Sequence, residues 1–210
     1  MVGFLDKYIL ILNTTKHILL HPFSFADSFE DTIEDTKRAA RYLFEGLVFA
    51  IAIIQFLIKG LDTAIPVLYL PFGGEIIAGI FVLAVLFTGL TTHPMAKLFS
   101  EASTSIHGSF ASFLYWTGFC LFVLPALFFV LITGINWLTS IAGLSGSLNY
   151  WLLFAVGIPV LIIYYGGTIV SWIAHQYRFS KPMAVLAILF GYTLSSIVSG
   201  PLIFIFSNML

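Results

Sequence analysis

Ile76-Ile77-Ala78-Gly79-Ile80-Phe81-Val82-Leu83-Ala84-Val85-Leu86-Phe87-Thr88-Gly89-Leu90 is apolar on every side. A half-buried strand would alternate between two environments, and the run has no period of two. A surface helix would carry a polar stripe, and none is present. A helix that is apolar all round belongs in a large core or in a bilayer. Residues 151–164 have the same character. The rest of the chain decides between the two settings. Of 210 residues, 60% are apolar, 17% aromatic and only 9% charged, with a mean hydropathy of +1.03. A soluble domain carries about 25% charged residues to cover its water-facing surface. This composition excludes an ordinary soluble protein and a disordered chain. With a formal net charge of −1, it also excludes a nucleic-acid binder, which needs a basic excess.

Crossing about 30 Å of hydrocarbon takes about 20 mostly apolar residues in a helix. Residues 42–58, 75–91, 113–137, 150–174 and 183–206 meet that requirement. The sequence therefore predicts an all-α fold: a polytopic membrane helix bundle of five transmembrane helices with an N-terminal amphipathic helical region. Residues 1–41 form the N-terminal region and 42–210 the transmembrane domain. Barrel strands are short and alternate apolar with polar, unlike these runs. Residues 61–72 contain Pro66 and Pro71, are too short to span, and predict a loop packed on the bundle, with an outer-interface segment or a shallow re-entrant loop as the alternative.

Basic residues orient the spans. Lys7, Lys16, Lys37, Arg38, Arg41, Lys97, Arg178 and Lys181 share one side in a five-span arrangement, and only Lys59 lies on the other. The N-terminus is expected in the cytoplasm and the C-terminus outside, in the cytoplasmic (inner) membrane if the source is prokaryotic. Trp116, Trp137, Trp151 and Trp172 fall near span ends, as interfacial aromatics do. Asp6 and Lys7 interrupt the first residues, so a cleavable signal peptide is not expected. The sequon at Asn13 lies on the cytoplasmic side, where it would be inert.

The first 40 residues divide at His21-Pro22. Before it, Phe4, Leu5, Tyr8, Ile9, Leu12, Ile18 and Leu19 recur at helical spacing and predict an amphipathic helix on the inner leaflet. A helix packed beneath the bundle is the alternative. After it, Ser24 to Asp27 and Thr32 to Asp35 both have the shape of a capping box. Asp27, Asp31, Glu34 and Asp35 share roughly one face, a solvated face by default and the candidate surface for a protein partner. Glu34 and Arg38 stand at i, i+4 and can pair.

Inside the membrane, Glu45 is the ionisable residue that stands out, because an intramembrane carboxylate is a functional candidate. Arg41, one turn earlier, is its expected partner. Pro125, Pro159 and Pro201 each remove a helical hydrogen bond. Gly191, Ser195 and Ser199, with Gly167 and Ser171, mark close helix contact, either between the last two spans or in a homo-oligomer. His93, His107 and His175 map to the inner side, together with His17 and His21, but have no ligand spacing that points to metal. Cys120 is the only cysteine and sits in an apolar run, where it acts as a small hydrophobe. No hydrolase elbow, zincin, phosphate-loop or dinucleotide motif is present. No catalytic residue, cofactor or metal is expected.

Three stretches carry a resemblance. They are Leu19-Leu20-His21-Pro22, the run Gly108-Ser109-Phe110-Ala111-Ser112-Phe113-Leu114-Tyr115-Trp116, and Arg178-Phe179-Ser180-Lys181-Pro182-Met183-Ala184-Val185-Leu186. With the five-span layout, the chain resembles the Yip family of Rab-interacting membrane proteins, in a compact prokaryotic-type form. The resemblance implies a cytoplasmic N-terminal region, five spans, a short outer tail and no catalytic residues. It points to a non-enzymatic scaffold or adaptor for membrane organisation or trafficking-like recruitment, with the lipid bilayer and a protein partner as its contacts. An ion channel or small-solute transporter is the alternative, drawn from Glu45 and the proline-containing spans. Deleting residues 1–40 is expected to abolish partner binding and leave the bundle folded.

Overall fold

A computed structural model of the chain describes residues 2–60, 73–100, 102, 104–142, 159 and 162–209. Every regular element among them is helical. In chain order they are α1 (Val2–Leu20), a 3₁₀ turn (Phe25–Ser28), α2 (Ile33–Gly60), α3 (Gly73–Phe99), α4 (Ile106–Ala142), a π turn (Ile162–Gly166), α5 (Gly167–Tyr177) and α6 (Lys181–Met209).

The apolar runs account for the long helices. Val82–Phe99 in α3 and Ile106–Leu127 in α4 are long and apolar enough to cross a membrane. Tyr164–Tyr177 and Lys181–Ile197 meet at 104° and qualify together as a third, bent span. Among the described residues the five expected spans thus become two, or three with the bent pair. Residues 150–158, 160 and 161 of the expected span 150–174 lie outside the described residues, and so does the loop 61–72. The described part of α2 opens among Glu34, Asp35, Lys37, Arg38 and Arg41, which dilute its apolar stretch. The boundary expected at 41/42 falls inside α2. Hydropathy changes there, but no Gly or Pro breaks the backbone ladder, so the helix continues.

α4 is the central helix, with α2, α3 and α5 packed on it. Glycine sets the close crossing of α2 and α4. A Cβ on Gly46 of α2 would lie 2.8 Å from the Gly118 carbonyl oxygen of α4, and one on Gly118 would lie 3.0 Å from Leu43 Cα. Only paired glycines allow that approach. At Gly191 of α6, a Cβ would lie 2.9 Å from Thr92 Cα of α3, and Thr91 Oγ1 donates to the Gly191 carbonyl at 2.6 Å. Gly191, the first small residue of the α6 stripe, therefore meets α3, and Ser195 is buried.

The largest buried side chains are Trp172, Tyr177, Phe113 and Phe119. Trp172 corrects the expectation of an interfacial ring: it is fully enclosed, while Trp137 is 65% exposed. Trp151 lies outside the described residues. Cys120 is buried in the core. α1 rests on the bundle at its C-terminal half. Ile18 is fully buried and Thr15 Oγ1 bonds the Tyr42 hydroxyl at 2.8 Å, while Tyr8, Ile9, Leu10 and Leu12 stay exposed.

Candidate interaction site at the charged end of the bundle

The chain between α1 and α2 is built as a latch. α1 ends where Pro22 cannot continue it, and the His21 N–H closes the last turn on the His17 carbonyl at 2.8 Å. Phe25 and Phe29 then turn inward. Phe29 stacks on Tyr115 of α4 with ring centroids 5.6 Å apart and planes at 4°, and Phe25 lies 5.3 Å from Trp172 of α5. Trp172 Nε1 donates to the Pro22 carbonyl at 2.5 Å. A buried indole N–H needs a partner, and proline, having no N–H, offers its carbonyl here. Asp27 and His175 of α5 approach to 3.2 Å on the surface.

Asp31 is the centre of the latch. Its carboxylate accepts from Ser105 N at 2.7 Å, Ser105 Oγ at 2.5 Å and Gly108 N at 2.8 Å. These donors lie at the start of α4, where the first N–H groups of a helix have no partner inside it. A carboxylate there also faces the positive end of the helix dipole. Asp31 thus caps the start of α4 from a distant part of the chain, beside the local cap in which Ser105 Oγ accepts from His107 N at 3.1 Å. Burial works to raise its carboxyl, but the Ser105 hydroxyl and the Ser105 and Gly108 amides outweigh it and hold the group below its ordinary value.

Thr32 caps α2 locally: its Oγ1 accepts from Asp35 N at 3.2 Å. Of the two capping boxes expected, Thr32 to Asp35 is the one used, and Ser24 makes no side-chain cap. The Asp35 side chain does not close the box. It is buried, with Oδ1 accepting from Tyr115 Oη at 3.0 Å and Oδ2 without a hydrogen-bond partner. Burial raises its carboxyl above the ordinary value, against the lowering effect of the Tyr115 bond.

The four acids expected to form one solvated face therefore separate. Asp27 faces His175, Asp31 caps α4, Asp35 is buried, and Glu34 stays outside, paired with Lys37 at 2.9 Å. The expected Glu34–Arg38 pair gives way to this i, i+3 pair. Arg41 and Glu45 form no ion pair, since helical spacing permits a contact without imposing it. The histidines also disperse. His93 Nδ1 bonds the Tyr177 hydroxyl at 2.6 Å, the His107 carbonyl accepts from Thr36 Oγ1 at 3.2 Å, and His175 faces Asp27. No group of three or more His, Cys, Asp or Glu able to hold a metal occurs among the described residues.

Residues with no sequence motif complete the site. Gln176 Nε2 donates to the Gly108 carbonyl at 2.9 Å, and Thr104 Oγ1 donates to the Gln176 carbonyl at 2.6 Å. Arg178 ends α5 in the left-handed conformation, φ 55°. The Phe179 N–H reaches the Ala174 carbonyl at 2.8 Å and the Arg178 N–H reaches that of His175 at 3.2 Å. That is a Schellman closure with arginine in the place glycine usually takes. Asp27, Asp31, His175, Gln176 and Arg178 border a cavity of about 430 Å³ between the latch and the helix ends. These placements depend on chain crossings that no spacing announces.

Neither a family model, nor a curated protein, nor a solved structure matches the chain.

Proposed function

We propose that the chain is a non-enzymatic membrane scaffold of Yip-like type, which recruits a protein partner at the end of the bundle bearing the latch. The observation that carries the reading is the capping of α4 by Asp31. It ties the N-terminal segment to the helix ends and holds the first turns of α2 in one orientation, with Glu30, Glu34, Lys37 and Arg38 exposed. A docking face is most effective when its geometry is set before the partner arrives. The exposed apolar side chains of α6, Leu186, Leu189, Phe190 and Ile197 among them, suit contact with lipid. The basic end faces the cytoplasm in this reading, by the distribution of Lys and Arg.

Deleting residues 1–40 would not test it, because the deletion also removes the α4 cap. The test is charge reversal at exposed positions. In the full chain, Glu30→Lys with Glu34→Lys should remove a specific cross-linked partner and lower the unfolding midpoint of the purified protein by no more than the loss of one exposed ion pair, Glu34–Lys37, brings. An unaltered set of cross-linked partners would overturn the proposal. The second reading, a channel or small-solute transporter, draws on Glu45, which lines an apolar cleft without an ionic partner among the described residues. Ion or solute flux in proteoliposomes that falls on Glu45→Gln would favour it.

A further inference from the structure

Among the described residues, α1 packs on the bundle through Ile11, Thr15, Ile18 and Leu19, and a cleft of about 760 Å³ opens between it and the α2–α4 pair. The walls are Leu12 of α1, Val48 and Phe49 of α2, and Phe122 and Leu127 of α4. Phe49 and Phe122 have ring centroids 5.3 Å apart. Glu45 is the only charged side chain among the lining residues. It makes no hydrogen bond or ion pair within the described chain, and Arg41 one turn away does not reach it. Thr15, which also lines the cleft, is already bonded to the Ile11 carbonyl and to Tyr42.

We propose that this cleft binds an amphiphilic organic monocation, with Glu45 as its counter-ion. The inference is independent of the partner-recruiting role. A carboxylate in apolar surroundings is costly unless it is paired, and none of the described side chains forms an ion pair with Glu45. The volume suits one drug-sized ligand, since such pockets hold about 300–1,000 Å³ and are mostly apolar with few polar groups. Phe49 and Phe122 add ring faces that attract a cation. A metal ion would need several oxygen ligands and finds one carboxylate. A basic peptide would bring more charges than one carboxylate can match. A zwitterionic phospholipid would bring its phosphate to Glu45, with no cationic side chain lining the cleft to receive it.

The probe is radiolabelled tetraphenylphosphonium, dialysed to equilibrium against the full chain in phosphatidylcholine nanodiscs, with empty discs subtracted. One saturable site per chain is expected. Glu45→Gln should weaken it at least tenfold, and Glu45→Asp should retain it. Leu12→Trp should block it with the carboxylate intact. Leu12 is 67% exposed, so that variant leaves the bundle fold undisturbed. Absence of saturable binding above empty discs would overturn the proposal. So would a Glu45→Gln affinity within twofold of the parent, or displacement of the probe by phosphatidylethanolamine in the disc, which would assign the cleft to a bilayer lipid.

Discussion

The N-terminal segment meets the bundle in two ways that differ in kind. From Pro22 to Asp35 the contact is directional: a carbonyl for the Trp172 indole, a carboxylate for the start of α4, and a buried acid under Tyr115. From Tyr8 to Leu19 it is mostly apolar, anchored by buried Ile18 and by single bonds to Tyr42 and Tyr164, and it leaves a cleft with Glu45 unpaired among the described residues. Hydrogen bonds to charged groups contribute about 1.5–3 kcal/mol each and demand one geometry. Apolar contact is non-directional and tolerates a gap, so long as something apolar fills it. The first region is built to hold a shape and the second to accept a guest. Within the latch the same contrast recurs between Asp31, rich in donors, and Asp35, short of them.

The largest expected effect is at Asp31. Asp31→Ala removes all three bonds at the start of α4 and should cost about 2 kcal/mol of stability, read as a lowered midpoint in denaturant unfolding of the purified protein. A loss no greater than that of a surface substitution would place the strength of the latch elsewhere. Trp172→Phe keeps the ring and removes the bond to the Pro22 carbonyl, at a cost of about 1 kcal/mol. Trp172→Phe should leave binding in the α1 cleft unchanged, which separates the two regions.

The smallest effect has the opposite sign. Asp35→Asn should leave the protein at least as stable as the parent near neutral pH, since the amide oxygen still accepts from Tyr115 and the charge is gone. The titrations differ accordingly. The Asp31 carboxyl is held low in the fold, so its contribution is present above the ordinary aspartate range and lost as pH falls through the lowered value. The Asp35 carboxyl is held high, so its contribution is present below that range and lost as pH rises through the raised value. Unfolding followed against pH in Asp31→Asn and Asp35→Asn should show these two dependences removed one at a time. A shared dependence would erase the distinction.

Local features of the chain were readable. The break of α1 at His21-Pro22, the Thr32 cap and the apolar helices α3 and α4 all depend on neighbours within a few residues or on a run of one character. The small-residue spacing at Gly191 correctly announced a close approach. Its partner, Thr92, was hidden because a glycine states that another backbone comes near and not which one. Trp172 misled for a related reason: an indole near a span end suits an interface or a buried carbonyl equally well. Asp27, Asp31, Glu34 and Asp35 looked like a single face because helical spacing was assumed throughout, but α2 begins only at Ile33.

Composition and the unbroken apolar runs were enough to establish an all-helical chain with membrane-length segments, since transfer of side chains from water depends on residue type alone. The division of labour among the acids, the Gly191–Thr92 contact and the isolation of Glu45 came from the fold. Each sets one residue against another far away in sequence, and such pairings follow from how helices pack in three dimensions, which leaves no periodic trace along the chain.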